Sequence, residues 1–242
     1  MKPFDICFID ADSLIYRLAL KTEISLKLAK TYYDKEIESI QWDTCAEEVK
    51  VALKGKGNFR YDVYSDYKGH RKNDEDPNPA LTKRRRQLNK YAYSLGHHAS
   101  DNCEADDVVC IWAQEAKEAG QHYVIAHIDK DINMMEGWHW NPTKSLLYEV
   151  TEDEGWHFMC IQMLTGDSTD NIQGLKGIGP KKAEKLLTGV AKCDKIDAVR
   201  KAWQEAHPED WHDRLEVCWN LLYMRRYWDG FKRLTIEETL DV

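Results

Sequence analysis

Two short apolar runs, each closed by an aspartate, restrict what this chain can fold into. Ile6-Cys7-Phe8-Ile9 ends at Asp10, and the segment from His122 to Ile128 (HYVIAHI) is followed by Asp129. Continuous apolar runs this short suit parallel strands buried on both faces. Open parallel sheets bind ligands beyond the carboxyl ends of their strands. Two strands that both end in acid therefore point to one shared site in an α/β domain with a mostly parallel central sheet.

Further acids fall in comparable places. Glu104, Asp106 and Asp107 open a helix predicted over 105–118. Val108, Ile111, Trp112, Ala116 and Ala119 mark one face of that helix, and Gly120 suits its stop. Glu104 and Asp107 are three apart and can face the same way. Asp131 follows Asp129 in one turn, and Asp167 and Asp170 lie in Gly166-Asp167-Ser168-Thr169-Asp170-Asn171. Each group has an ordinary explanation. Acids suit a helix N-terminus by a few tenths of a kcal/mol, about 0.3 or more per charge. Aspartate also favours turns after strands, and the last group reads as a solvated loop with an N-cap. Taken together, these eight carboxylates would repel one another and raise each other's pKa. A pair of divalent ions removes that conflict, and phosphodiester hydrolysis is a common use of such a pair.

The net charge of −8 argues at first against nucleic acid. The sign of the whole chain is a poor guide when acids concentrate at a metal site. Basic residues cluster too, in Tyr67-Lys68-Gly69-His70-Arg71 and in the unbroken run Lys83-Arg84-Arg85-Arg86. A soluble charged face is the usual fate of such runs, and a cationic wall for a phosphate substrate is the alternative. After the last acids comes Gly-Leu-Lys-Gly-Ile-Gly-Pro-Lys-Lys (174–182). A Gly-x-Gly turn that opens a helix presents backbone N–H groups to a phosphate without reading sequence.

The rest of the chain supports one α/β domain with a helical appendage. A polar loop spans Asp74 to Pro79, a helix runs from Ala80 to about Leu95, and a hairpin from Trp138 to Val150 turns at Asn141-Pro142-Thr143. Helices are expected over 152–164 (closed by Gly166), over 181–187 after Pro180, and through 195–233. In that last stretch Trp203, Trp211, Trp219 and Trp228 read as packing residues. Seven cysteines without a Cys-x-x-Cys pair, and nine histidines without zinc spacing, fit free thiols in a reducing compartment such as the cytoplasm. No apolar run approaches a membrane span, and Met1-Lys2-Pro3 opens no secretory pattern.

The ordered set Asp10, Tyr67-Lys68-Gly69-His70-Arg71, Glu104-Ala105-Asp106-Asp107, Asp129-Lys130-Asp131, Gly166 to Asn171 and Gly177-Ile178-Gly179 resembles the 5′-nuclease family over about residues 5–190. That family includes bacteriophage 5′→3′ exonucleases and flap endonucleases and the 5′-nuclease domain of bacterial DNA polymerase I. The resemblance implies a PIN-like catalytic domain over 1–150 with a short helical arch near 72–95. A helical region over 151–242 would carry a helix–three-turn–helix element near 160–190, with C-terminal helices packing back.

The resemblance also assigns the site. Two Mg²⁺ or Mn²⁺ ions are implied, one held by Asp10, Glu104, Asp106 and Asp107 and the other by Asp129, Asp131, Asp167 and Asp170. Lys68 and Arg71 would contact the scissile phosphate. Arg60, Tyr67, Lys83, Arg84, Arg85 and Arg86 would contact DNA, as would Gly177, Ile178, Gly179, Lys181 and Lys182, with K⁺ at that turn. The partners implied are DNA 5′ ends, flaps or nicks, for a monomer acting in the cytoplasm, a host's if the chain is a phage's. One position departs from the family pattern: where several relatives carry an acid, this chain has Leu53 or a neighbour. The expected reaction is hydrolysis near a 5′ end by water that the ions activate. Two rivals remain, a fork-binding module that does not cut and a ribonuclease removing RNA primers from RNA–DNA hybrids.

Overall fold

The computed structural model describes residues 2–69 and 78–240. Its centre is a six-stranded sheet built from β1 (Phe4–Asp10), β2 (Ala46–Lys54), β3 (His98–Ser100), β4 (Tyr123–Ala126), β5 (Gly137–Asn141) and β6 (Leu146–Val150). The spatial order is β3-β2-β1-β4-β5-β6, all parallel except the β5–β6 hairpin. The order reverses between β1 and β4, so a crevice opens at their carboxyl ends. Asp10 closes β1, and Asp129 begins the 3₁₀ turn Lys130–Met134 just past β4.

β1 is buried on both faces, which is why its sequence is apolar without alternation. Ile6 and Phe8 enter the core on one side of the sheet, while Cys7 and Ile9 enter the core on the other. A single-turn α3 (Arg60–Val63) follows β2, and on the first side of the sheet lies α5 (Ala105–Glu118). On the second lie α1 (Ala11–Leu20), α2 (Leu26–Thr44) and α4 (Pro79–Ser94). Burying a Leu- or Phe-sized side chain stabilises by roughly 1.5–3 kcal/mol, so these two cores hold the strand ends in place. α4 starts at Asn78, whose side chain accepts from the Leu81 N–H, followed by Pro79 in the first turn.

The C-terminal half consists of α6 (Glu152–Thr165), a two-stranded ribbon of β7 (Gly166–Asp167) and β8 (Ile172–Gln173), then α7 (Pro180–Leu187), α8 (Lys195–Ala206) and α9 (Trp211–Leu222). Met159, Met163, Trp203 and Trp219 from these helices share one core with Val108 of α5 and Ile132. A short α10 (Ile236–Leu240) follows.

The helix expected through 195–233 is broken. Pro208 removes an amide donor after α8. Beyond α9 the chain leaves helical geometry because the core takes its polar groups: Arg225 N donates to Asp107, and the Arg226 guanidinium donates to Met134 O. Trp203 and Trp219 are buried as expected. Trp228 is not: it is 45% exposed, with its indole N–H donating to Glu115. The helices α1 and α2 and the strand β2 carry no distinct local signal in the sequence. Leu53 lies wholly buried in β2 and faces the core.

Candidate functional site

A cavity of about 130 Å³ opens beyond the carboxyl ends of the central strands. Its lining gathers Asp106 from α5, Asp129 and Asp131 from the turn after β4, and Asp167 and Asp170 from the β7–β8 turn. Lys68 and Lys130 line it as well. Asp10 is 7% exposed, and its carboxylate accepts from the Asp12 N–H at the start of α1. Burial raises Asp10 to about 8, and the charges of Asp12 and Asp129 add to the shift. Burial, then Asp129, raises Asp131 to about 6. Burial also pushes Asp106 well above its ordinary value, with Glu104 and Asp107 adding to it.

Two lysine ammonium groups stand between the acids. Lys68 Nζ lies 2.7 Å and 3.0 Å from the two oxygens of Glu104 and 3.3 Å from Asp170 Oδ2. Lys130 Nζ lies 2.9 Å from Asp167 Oδ2 and 3.6 Å from Asp131 Oδ1. Among the described residues, no three acids, histidines or cysteines converge closely enough to hold an ion. Burial opposes ionisation of Glu104, but Arg60, Lys68 and Lys54 outweigh it and hold its carboxyl below the ordinary range. The Lys130 and Thr169 hydrogen bonds do the same for Asp167 against its burial.

The chemistry of the donors, though not yet their convergence, suits a hard divalent ion. The acids offer carboxylate oxygens, the ligand type that hard divalent ions take. The acids whose ionisation burial opposes are those a dication would relieve.

Asp107 does not belong to this set. It is fully buried, and its carboxylate accepts from Arg60 Nη1 at 2.6 Å and Nη2 at 2.9 Å, from Glu104 N and from Arg225 N. Four donors leave it no free lone pair for an ion. Spacing of three placed Glu104 and Asp107 on one side of the helix, and the capping box they form is the reason for that spacing. Arg60 is corrected with it. It is 1% exposed and also donates to Leu221 O, so its guanidinium is committed to anchoring α5 to the segment around α9. Tyr67 is likewise buried; its hydroxyl donates towards Glu104 Oε2 at 2.8 Å and Asp170 Oδ2 at 3.1 Å, so it orients these acids where it lines the cavity.

The remaining expected residues divide as follows. Lys83, Arg85 and Arg86 are exposed on α4, and Arg85 lies over the Tyr16 ring. Arg84 Nη2 is tied to Ile24 O at 2.8 Å, which commits it to holding α4 against the loop after α1. Arg71 lies outside the described residues. Gly177 sits at φ +79°, a left-handed position that favours glycine, and Gly179 caps α7. Ile178 is half-buried against the core, and Lys181 is exposed. Lys182 Nζ donates to Gly177 O and closes the turn.

Sequence reasoning missed four contributors. Asp12 Oδ1 accepts from the Lys54 N–H at the end of β2, so an α1 carboxylate occupies the region beside Leu53. Lys54 Nζ reaches Glu104 at 3.4 Å. Gln162 of α6 is buried and donates to Asp131. His127 Nδ1 lies 2.6 Å from Asp129 O, which fixes the acidic turn from within the sheet. Only Asp12 carried a usable signal, as a second acid just past β1.

Comparison with known proteins follows the same lines. The family described as "5′-3′ exonuclease, N-terminal resolvase-like domain" matches residues 5–136. The chain is 26% identical over 204 residues to a 5′-3′ exonuclease of Mycoplasmopsis pulmonis, covering 78% of this chain and 67% of that protein. It is 29% identical over 155 residues to DNA polymerase I of Rhizobium leguminosarum, covering 57% of this chain but only 14% of the polymerase. Among solved structures, the T5 D15 protein co-crystallised with metal ions superposes with a TM-score of 0.71 at 18% identity, covering 90% of this chain and 88% of that one. The fold is that of the PIN-like nucleases, with a mostly parallel sheet and flanking helices. None of the described helices is long and apolar enough to cross a membrane. With its match spanning more than half of its length, the chain belongs to the 5′-3′ exonuclease family, by the N-terminal resolvase-like domain.

Proposed function

We propose that the protein is a divalent-metal-dependent 5′→3′ exonuclease and flap endonuclease acting on DNA near 5′ ends, flaps or nicks. One observation carries this reading: acids from three distant segments and two lysines line a single cavity at the point where the strand order reverses. Named relatives support it, since a Shewanella flap endonuclease Xni is 29% identical over 188 residues, 74% of this chain and 66% of that protein. The T5 D15 flap endonuclease with a similar fold was solved with DNA and metal ions.

Asp10, Glu104 and Asp106 would hold one ion, and Asp129, Asp131, Asp167 and Asp170 a second, both Mg²⁺ or Mn²⁺. Ions bound there lower the pKa of water and offset charge on the phosphate. The chain's own residues supply the rest. Lys68, anchored beside the buried ring of Tyr67, meets the scissile phosphate and stabilises the charge that develops on it. Arg71 assists from the same segment. Tyr67 and Gln162 hold Glu104, Asp170 and Asp131 in register. Lys83, Arg85 and Arg86 guide the strand, and the turn at Gly177–Gly179 with Lys181 takes the duplex backbone, with K⁺ at the turn. Activity in a cytoplasm and as a monomer completes the reading.

The test is a 5′-labelled flap duplex incubated with Mg²⁺ or with EDTA. The wild type should cut only with Mg²⁺, and the variant Asp129→Asn with Asp131→Asn should not cut although it folds. Cleavage in EDTA, or full cleavage by the double variant, would overturn the assignment. An RNA–DNA hybrid in the same assay fixes the preferred strand.

A further inference from the structure

We infer that Lys130 is a displaceable internal counter-ion: its ammonium group holds the Asp131–Asp167 pair together until divalent ions enter, and is then released to contact a phosphate of the bound DNA. The inference rests on the proposed nuclease reading of this site. Asp167 is 5% exposed, and its two oxygens are committed to the Thr169 N–H at 2.7 Å and to Lys130 Nζ at 2.9 Å. Asp131 Oδ1 takes the Gln162 amide and lies 3.6 Å from the same ammonium. Lys130 therefore joins carboxylates from two segments that are far apart in sequence, in the gap a shared cation would fill.

Lys130 differs from Lys68 in its freedom. The Lys68 side chain is 14% exposed and packs along the Tyr67 ring, so it has one place to be. The Lys130 side chain is 61% exposed and leaves the backbone between two acids at the cavity rim. A dication between Asp131 and Asp167 excludes a monocation from the same gap by charge and by space. The four-carbon stem of Lys130 then lets its ammonium turn outward, while the acids that held it are neutralised. It emerges into the cavity that Lys68 also lines, where the proposed function puts the phosphodiester. The exchange makes one DNA contact conditional on ion uptake, so the protein gains affinity for DNA when it is competent to cut.

The test compares the wild type with Lys130→Gln and Lys130→Arg in the full chain. Equilibrium binding to a 5′-flap duplex is measured over a range of KCl, once in Ca²⁺ and once in EDTA, with the DNA recovered and checked for cleavage. One phosphate contact changes the slope of log Kd against log salt by about 0.9. Lys130→Gln should reduce the slope by that amount in Ca²⁺ and leave it unchanged in EDTA, and Lys130→Arg should keep the wild-type slope. Without DNA, Lys130→Gln should bind Mn²⁺ about two- to fivefold more tightly, because a competing ion pair of modest strength is gone. An equal slope change in both conditions, or none in Ca²⁺, overturns the exchange while the nuclease reading stands. A wild type that takes up no Mn²⁺ overturns that reading and this inference with it.

Discussion

Replacing Asp107 by Asn separates structural acids from metal-facing ones. Its carboxylate meets Arg60 through two guanidinium nitrogens at 2.6 Å and 2.9 Å, and both residues are almost wholly shielded from water. Asparagine keeps one acceptor but loses the charge and turns an NH₂ towards donors. Breaking a buried pair by removing one partner costs about 3–5 kcal/mol. In a domain of this size, each kcal/mol moves the melting temperature by about 2–4 °C, so a fall of roughly 6–20 °C is expected. The assay is thermal and urea unfolding of the metal-free protein. Asp106→Asn is the control: this acid is half-buried beside the like charges of Glu104 and Asp107, so its neutral isostere should leave the metal-free midpoint unchanged or higher. Replacing Arg60 by Met and Asp107 by Leu together should recover only part of the loss, since the apolar pair carries no uncompensated charge but leaves the Glu104 and Arg225 N–H groups without their acceptor. The reasoning is refuted if Asp107→Asn melts with the wild type yet binds no Mn²⁺, because Asp107 would then be a ligand and not an anchor.

Other consequences are equally direct. In the metal-free protein Asp10 stands at about 8 and Asp131 at about 6, both raised chiefly by burial. An acid raised on folding favours the folded state at low pH and loses that contribution as pH climbs to its folded value, so metal-free stability should decline between about pH 4 and pH 8. Mn²⁺ uptake must expel those protons, so affinity should rise between pH 6 and pH 8 by up to about tenfold per unit for each proton released; calorimetry in two buffers counts them, and a flat profile contradicts the raised values. Tyr67→Phe removes the hydroxyl shared by Glu104 and Asp170 and should slow flap cleavage about tenfold, equivalent to one lost hydrogen bond, with DNA affinity unchanged. A weaker Kd for that variant would return Tyr67 to the DNA surface. Lys181→Ala should reduce the salt slope of DNA binding by about 0.9, as one exposed phosphate contact would; an unchanged slope removes the Gly177–Lys182 turn from the interface.

The sequence disclosed the parts of this fold whose physics is local. The apolar runs of β1 and β4 are continuous because both faces are covered, and the acids that end them mark the crevice. The periodic face of α5, the turn at Asn141 to Lys144 and the Pro180 start of α7 were equally readable. What stayed hidden depends on distant partners. Arg60 looked like a DNA contact because nothing near it in sequence shows that Asp107 and Leu221 O enclose it. Asp107 looked like a ligand because capping and metal binding favour the same residue at the same spacing. The irregular stretch after α9 is imposed by the backbone N–H of Arg225 reaching Asp107, a contact across 118 positions. Asp12 went unnoticed because its role depends on β2 lying beside α1, which the sequence did not announce.

The most direct measurement is anomalous diffraction from a crystal soaked in Mn²⁺. Two peaks are expected, one within about 2.2 Å of oxygens from the Asp10, Glu104 and Asp106 group and one at a similar distance from the Asp129, Asp131, Asp167 and Asp170 group. Lys130 should have left Asp167 in that crystal, and Asp107 should still hold Arg60. No Mn²⁺ in the cavity, or ions bound only at scattered surface carboxylates, would contradict a shared metal centre.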